Sequence, residues 1–325
     1  MGPLRIGVLG CAEIARRRML PAMAASGDIE IAAVASRDPR RARETARPYG
    51  CRAVEGYQEL LDDPLVDAVY VPLPAALHAR WTAAALRSGK HVLAEKPLTT
   101  DRTATAALLD DAGARGLVLR ENVMFVRHSQ HRTVRALLAD GAIGELRSLR
   151  AEFTVPRRAD DDIRYRRELG GGALWDTGVY PLRAALHFLG PRLSVRGAAL
   201  TYGAGKDVDT AGAALLGTPE GVTAHLSFGL DHGYRSQYEL TGSHGRITLD
   251  RAFTPPADHA PVLRVEGPEG ARELSLPPDD QVAGTLTAFV TAVRAGAAAD
   301  TGAESAASTC LRQAELLEEI TAAAG

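Results

Sequence analysis

The feature that most constrains this chain lies at its start. An apolar run over 4–9 enters Gly10-Cys11-Ala12-Glu13-Ile14-Ala15 and passes directly into a helical pattern over 14–25. A strand that ends on glycine and turns at once into a helix is the phosphate-binding corner of a dinucleotide fold. Gly10 permits the tight turn and Ala15 the close helix–strand contact. Ala12 replaces the middle glycine, so a pyrophosphate there must tolerate one methyl group. The N–H groups that open the helix are unpaired, and the helix dipole favours an anion beside them. Gly10, Cys11, Ala12, Glu13 and Ile14 are therefore the expected cofactor loop.

The next hundred residues support that corner. Apolar runs over 30–35, 67–71, 91–94 and 117–121 alternate with helical patterns over 40–47, 77–87 and 103–115. Such alternation implies right-handed βαβ units and a parallel sheet. The run over 66–71 has little polar alternation, as in a strand covered on both faces. After Asn122 the character changes. Helical patterns over 132–140 and 173–189 flank a long strand over 146–155. Strand-like runs then succeed one another at 194–202, 211–216, 223–229, 236–241 and 246–249, before two helical segments over 281–294 and 304–323. Strands without intervening helices point to antiparallel pairing. The expected fold is α/β: a Rossmann dinucleotide-binding domain over 1–122, then an α+β domain over 123–325 with a large, mostly antiparallel open sheet. A length of 325 residues suits two domains.

Composition removes several alternatives. A net charge of -2 gives no positive field to draw the chain onto nucleic acid or an anionic membrane. No apolar run approaches membrane-spanning length, and the first strand pattern begins at Leu4, too early for a signal peptide ahead of it. Cys11, Cys51 and Cys310 are odd in number and lack CxxC spacing, which gives neither a disulfide framework nor a zinc site. His128 and His131 have no third ligand nearby, so no metal is expected. These features read as cytoplasmic. All basic residues except Lys90, Lys96 and Lys206 are arginine. Codon bias accounts for that, yet each lysine stands out because lysine can give up its proton and arginine cannot.

The cofactor is read at the end of the second strand. An NAD site carries Asp or Glu there to accept from the ribose 2′-OH. This chain has Ala35-Ser36-Arg37-Asp38. Ser36 can donate to a 2′-phosphate, Arg37 can pair with it through its planar fork, and Arg40 and Arg41 come one turn later. NADP, as NADPH, is therefore expected. Asp38 before Pro39 reads as a helix N-cap.

The run over 91–94 ends in Glu95-Lys96-Pro97. Ligands of open α/β sheets bind beyond the carboxyl ends of the strands, which sets Lys96 where a nicotinamide would lie. Here the chain resembles the Gfo/Idh/MocA oxidoreductase family, whose signature is this Glu-Lys-Pro. The resemblance covers the whole chain, including the Gly10 turn, Leu73-Pro74 through His78, and Gly172 through Tyr180. It implies cofactor contacts from Leu73, Pro74, His78, Glu95, Lys96 and Pro97. Ala75 stands where many members carry asparagine, so one polar contact is missing.

The family's second-domain motif is Asp176-Thr177-Gly178-Val179-Tyr180 in this chain, with tyrosine where other members have histidine. That substitution points away from inositol-type dehydrogenation. On an α-helix Asp176 and Tyr180 would share a face, and Gly170-Gly171-Gly172 ahead of them would let the backbone approach a ligand. The alternative makes Tyr180 and Trp175 core aromatics only. Ketone reduction builds negative charge on oxygen, which needs a proton and a nearby cation. Tyr180 is the expected proton donor, with a free pKa of about 10 that an ammonium would lower. Lys96 would polarise the carbonyl, and Asp176 would orient substrate hydroxyls or Lys96.

Within the family the chain is most similar to the nucleotide-sugar 3-ketoreductases of deoxysugar biosynthesis. The matching stretches are Met124-Phe125, His128 through His131, and Ile163 through Arg166. Those enzymes use NADPH to reduce the C3 keto group of a dTDP-linked keto-deoxyhexose. The resemblance implies substrate contacts from Asn122, Met124, Arg164, Tyr165, Trp175 and Asp176, and a homodimer or homotetramer through the C-terminal sheet. Arg157, Arg158, Arg164, Arg166 and Arg167 suit a diphosphate, although Asp160-Asp161-Asp162 among them equally fits a solvated loop. Two other activities compete: an NADP-dependent dehydrogenase of free sugars or diols, which needs no diphosphate partner and would tolerate loss of Arg164, and a cofactor-sensing regulatory protein, which has no use for Lys96, Asp176 and Tyr180.

Overall fold

The computed structural model describes residues 2–296 and 305–325. The chain divides into two compact units, 1–122 with 282–311, and 123–281 with 312–325.

In the first unit, strands β1 (Leu4–Leu9), β2 (Ile29–Ser36), β3 (Arg52–Glu55), β4 (Ala68–Val71), β5 (His91–Glu95) and β6 (Leu119–Asn122) form one sheet in the order β3-β2-β1-β4-β5-β6. Every neighbouring pair is parallel. The order reverses between β1 and β4, the crevice where such sheets bind ligands. All four residues of β4 are buried, as expected of a strand covered on both faces. Helices α1 (Leu20–Ala25), α2 (Pro39–Ala46), α3 (Tyr57–Leu61), α4 (Ala75–Arg87) and α5 (Arg102–Ala114) make the crossovers. Asp38 caps α2, its side chain accepting from Arg40 N at 2.9 Å, with Pro39 in the first helical position.

The second unit contains α6 (Ser129–Ala139), β7 (Leu146–Thr154), α7 (Val179–Leu189), β8 (Ser194–Tyr202), β9 (Asp209–Gly217), β10 (Thr223–Gly229), β11 (Arg235–Gly242), β12 (Arg246–Asp250), β13 (Val262–Gly267) and β14 (Gly270–Ser275). Its eight strands pair in the order β14-β13-β12-β11-β7-β10-β9-β8, antiparallel except for β7 beside β10. Alternate residues Leu149, Ala151 and Phe153 of β7 are buried, as are Ile247 and Leu249 of β12, and they share one core with Val179, Leu182 and Leu186 of α7. The opposite face carries Arg150, Arg246 and Arg264, and Arg246 pairs with Glu266 across β12 and β13 at 2.8 Å. Alternation along the strands thus separates a packed face from a polar one.

Two helices depart from the expected boundaries. Residues 282–311, expected in the second domain, belong to the first unit, which takes in most of α8 (Gln281–Ala295) and the first turn of α9 (Ala306–Ala323). Cys310 packs in the first core, whereas Leu316, Leu317 and Ile320 pack in the second. Residue 304, the expected start of the last helix, lies outside the described residues. The pairs β3/α3 and β13/β14 are additions to the expected elements. No helix among the described residues is long and apolar enough to cross a membrane.

Two expected α-helices contain a wide π-turn, at Ala15–Met19 and Leu174–Gly178. In each case a proline comes within three residues, Pro21 or Pro181. A proline inside an α-helix clashes with the carbonyl four residues back and removes a donor. The wide turn carries that carbonyl away from the ring.

The second core also holds a histidine cluster. His131 is fully buried, with Nδ1 3.0 Å from Tyr238 Oη and Nε2 3.1 Å from the Ala252 carbonyl. His187, 6.1 Å away between ring centres, has its Nε2 shielded from water and without a hydrogen-bond partner. Burial, aided by Arg135, Arg183 and Arg127, pushes the His187 pKa down to about 4. The unfolded chain, near 6.5, therefore binds the proton first, so stability is intact above pH 6.5 and falls as pH drops towards 4. This one shift corresponds to about 3 kcal/mol. Urea unfolding should show that loss between about pH 7 and pH 4, and His187→Phe should flatten the slope. An unchanged slope in the variant would remove His187 as its source.

Candidate active site

The residues expected at the cofactor gather at the carboxyl ends of β1, β2, β4 and β5. Gly10 has φ 118°, and a Cβ there would stand 3.0 Å from Leu73 Cδ2. An L side chain would be strained there by conformation and would press on the Leu73 side chain. Gly10 N donates to the Ala35 carbonyl at 2.8 Å, which ties the turn to the end of β2. Cys11 is buried with Sγ 3.4 Å from the Arg41 carbonyl. Glu13 is exposed and pairs with Arg17 at 2.9 Å, while Ala12 and Ile14 are partly exposed.

Ser36 is buried and its Oγ accepts from Asp38 N at 3.2 Å, while Arg37, Arg40 and Arg41 are exposed. The Asp38 carboxylate is engaged by the α2 N-terminus. A hydroxyl and three guanidinium groups in this corner fit a 2′-phosphate, and the Gly10 turn fits a pyrophosphate.

Lys96 comes directly after β5, is partly exposed, and precedes Pro97 through a cis peptide. The loop that carries it is fastened from several sides. His78, buried in the first turn of α4, has Nδ1 2.8 Å from the Pro97 carbonyl and Nε2 2.7 Å from the Leu73 carbonyl. Burial lowers its pKa, and the two backbone carbonyls act the other way; the ring bridges the loop after β4 and the loop after β5. Glu121 accepts from Leu98 N at 3.0 Å. Glu95, expected at the cofactor, and Asn122, expected at the substrate, turn inward and meet each other. Glu95 Oε1 accepts from Asn122 Nδ2 and from Tyr70 Oη, both at 2.6 Å. These three side chains are buried beneath the lysine's strand and support it.

In the second unit the motif Asp176 to Gly178 lies in the π-turn, and Tyr180 in the first turn of α7. The α-helical relation expected between positions 176 and 180 therefore does not apply. Asp176 accepts from Arg164 Nε at 2.8 Å, and Arg164 also reaches Asp162 at 3.0 Å. Asp176 is the main cause of the upward shift of the Arg164 pKa. The partly exposed Tyr180 ring packs edge-on against Phe153, 4.6 Å between centres, with Phe125 at 6.1 Å and Phe253 at 5.8 Å.

The glycines ahead of this helix make room for the protein itself, not for a ligand. Gly171 N donates to the Arg166 carbonyl at 3.0 Å and Gly172 N to the Arg164 carbonyl at 2.9 Å. The place of a Gly172 Cβ, at φ 127°, is taken by the Asp209 carboxylate. Asp209 accepts from Leu174 N at 2.7 Å and so caps the motif-bearing helix from β9. Burial raises its pKa. No local pattern marks Asp209 in the sequence, since its partner is thirty-five residues away.

The remaining expected substrate contacts have varied surroundings. Met124 is buried in the short turn Met124–Arg127. Tyr165 is buried, its hydroxyl donating to the Leu230 carbonyl at 3.0 Å, with Lys206 Nζ 4.4 Å above its ring. Trp175 is partly exposed against the second core. Arg157 pairs with Asp160, Arg166 with Glu168, and Arg167 with the Asp207 carbonyl. Exposed pairs of this kind contribute about 0–1 kcal/mol, so a diphosphate could displace them. Arg164 differs because it holds Asp176. Its replacement would disturb the motif whatever the substrate, and it does not separate nucleotide sugars from free sugars. Among the described residues no three His, Cys, Asp or Glu side chains converge as a metal site.

Known proteins share this arrangement. A dTDP-3,4-didehydro-2,6-dideoxy-alpha-D-glucose 3-reductase from Streptomyces violaceoruber is 56% identical over 99% of this chain and 95% of its own length. The crystal structure of a 3-ketoreductase from Actinomadura kijaniata, in complex with NADP and TDP-benzene, has a TM-score of 0.95 at 49% identity, covering 99% of this chain and 98% of that one. A D-xylose 1-dehydrogenase (NADP(+)) from Haloferax volcanii is 35% identical over 90% of each chain. Residues 4–123 match the oxidoreductase family model with an NAD-binding Rossmann fold, and residues 131–248 match the GFO/IDH/MocA C-terminal domain. The chain belongs to the Gfo/Idh/MocA oxidoreductase family.

Proposed function

We propose that this protein is an NADPH-dependent 3-ketoreductase that reduces the C3 keto group of a dTDP-linked keto-deoxysugar in deoxysugar biosynthesis. The carrying observation is the 56% identity, over nearly the whole length, to a reductase of that substrate class. The cofactor corner supports NADP over NAD, because Ser36, Arg37 and Arg40 stand where an NAD site has a ribose-binding carboxylate. Bound NADPH supplies the hydride.

The chain's own work is to manage the charge that hydride addition leaves on the ketone oxygen. Tyr180 passes its phenolic proton to that oxygen as charge builds. The Lys96 ammonium hydrogen-bonds the same oxygen and stabilises the phenolate left behind. Asp176, held by Arg164, accepts from a sugar hydroxyl, and Arg157, Arg158, Arg166 and Arg167 are available to the diphosphate. Met124, Tyr165 and Trp175 contribute walls to the sugar site. The protein acts in the cytoplasm as a homodimer or homotetramer joined through the open face of the C-terminal sheet.

The xylose dehydrogenase relative favours a second activity, oxidation of free sugars. Loss of NADPH absorbance with a dTDP-4-keto-deoxyhexose freshly converted to its 3-keto form separates the two, alongside glucose and xylose with NADP⁺. Turnover of the nucleotide sugar alone supports the ketoreductase. Turnover of free sugars alone moves the activity to a sugar dehydrogenase and returns the arginines to the surface.

A further inference from the structure

The acidic run Asp160-Asp161-Asp162 reads in the sequence as charge that offsets the neighbouring arginines. Its last member has a narrower task in the structure. Asp162 precedes the short turn Ile163–Tyr165, and its Oδ1 accepts from Arg164 N at 3.0 Å. The same carboxylate meets the tip of the Arg164 side chain, with Oδ1 3.0 Å and Oδ2 3.2 Å from Nη1. The Arg164 carbonyl accepts from Gly172 N at 2.9 Å, so the backbone is tied on its other side as well. From this fixed base Arg164 Nε donates to Asp176 Oδ2 at 2.8 Å. The Asp162 and Arg164 side chains are 20% and 32% exposed, against 71% and 56% for Asp160 and Arg157. Water and salt therefore screen the Asp162–Arg164 pair less than its neighbour.

We infer that Asp162 is a positioning residue for Asp176, holding Arg164 by Nη1 so that the guanidinium meets the Asp176 carboxylate through its Nε edge. The inference rests on the reading of Asp176 as the acceptor of a sugar hydroxyl and adds what orients it. A guanidinium can grip a carboxylate end-on, through its two terminal nitrogens, or from the side, through Nε. With Nη1 held by Asp162, the end-on grip on Asp176 is closed and the plane of the fork is set. Asp176 then has its place before the sugar arrives, which spares the freedom it would otherwise lose on binding. A long, jointed side chain such as arginine gives that placement only when its tip is held.

The test is kcat and KM of the full-length protein with the 3-keto nucleotide sugar, for wild type, Asp162→Asn, Asp176→Ala and the double variant. Single-turnover NADPH consumption reads the slow variants, and thermal melts verify that each is folded. Asparagine keeps an oxygen for Arg164 N, as at a helix N-cap, and removes the charge that holds the guanidinium. Asp162→Asn should lower kcat/KM about tenfold, the scale of one hydrogen bond to a charged group. In the Asp176→Ala background the same change should add nothing. Wild-type kcat/KM in Asp162→Asn would overturn the inference and leave Asp162 a cap only. A tenfold loss that persists without Asp176 would also overturn it, by placing the effect in the loop itself. So would a lower KM at unchanged kcat, which would mean that Asp162 screens the arginines from the diphosphate. If Asp176→Ala keeps the full kcat/KM, the reading of Asp176 fails first, and the role of Asp162 fails with it.

Discussion

Replacing Tyr180 by phenylalanine is expected to lower kcat about 100-fold to 10,000-fold while leaving the Kd for NADPH unchanged. The substitution is well isolated. The Tyr180 ring is held by Phe153, Phe125 and Phe253, and phenylalanine keeps those contacts while removing only the hydroxyl. On the proposed reading NADPH is held by Gly10, Ser36 and Arg37 of the first unit, so its binding gives an internal control. Single-turnover consumption of NADPH with the 3-keto nucleotide sugar, beside a fluorescence titration of NADPH alone, measures both quantities. A kcat within about threefold of wild type would remove Tyr180 as the proton donor. A weakened Kd would instead mean that the helix itself had been disturbed.

The sequence is most legible where chemistry is local. The strand–glycine–helix corner, the Ser36-Arg37 pair and Glu95-Lys96-Pro97 are contiguous, and their neighbours in the chain are their neighbours in space. It is least legible where a partner arrives from afar. The triple glycine suggests a ligand, yet Gly172 is small because Asp209 fills its place. Glu95 reads as a site residue because it opens the signature and Asn122 because of the family resemblance, while the pairing that turns them inward spans twenty-seven positions. Arg52 to Glu55 form an edge strand with three exposed residues, which leaves no apolar run to detect. The hairpin β13–β14 hides for the same reason, since five of six β14 residues are exposed. A helical period predicts α8 but carries no record of which core it covers, and so chain order alone puts 282–311 on the wrong side of the division. The π-turns escape because a periodic pattern absorbs one extra residue without breaking.

The second large effect concerns Lys96. Lys96→Met should lower kcat/KM about 100-fold to 1,000-fold, the usual loss when one donor to a developing oxyanion is removed. Lys96→Arg should recover little of it. The loop cannot shift to seat a longer planar fork, because His78 straps Pro97, Glu121 holds Leu98 N, and Glu95 is pinned below by Tyr70 and Asn122. Arginine also fails to reproduce the compact point charge of an ammonium. The decisive variant joins Lys96→Met to Tyr180→Phe. If both groups serve one oxygen, removing the second after the first costs little, and the double variant should fall within about tenfold of the worse single. Steady-state kcat/KM for all three variants, measured with the 3-keto nucleotide sugar, gives the coupling directly. Fully multiplicative losses would mean that lysine and tyrosine act on different atoms. The proton would then have to reach the ketone oxygen without help from the ammonium, and Lys96 would become a residue for holding the cofactor alone.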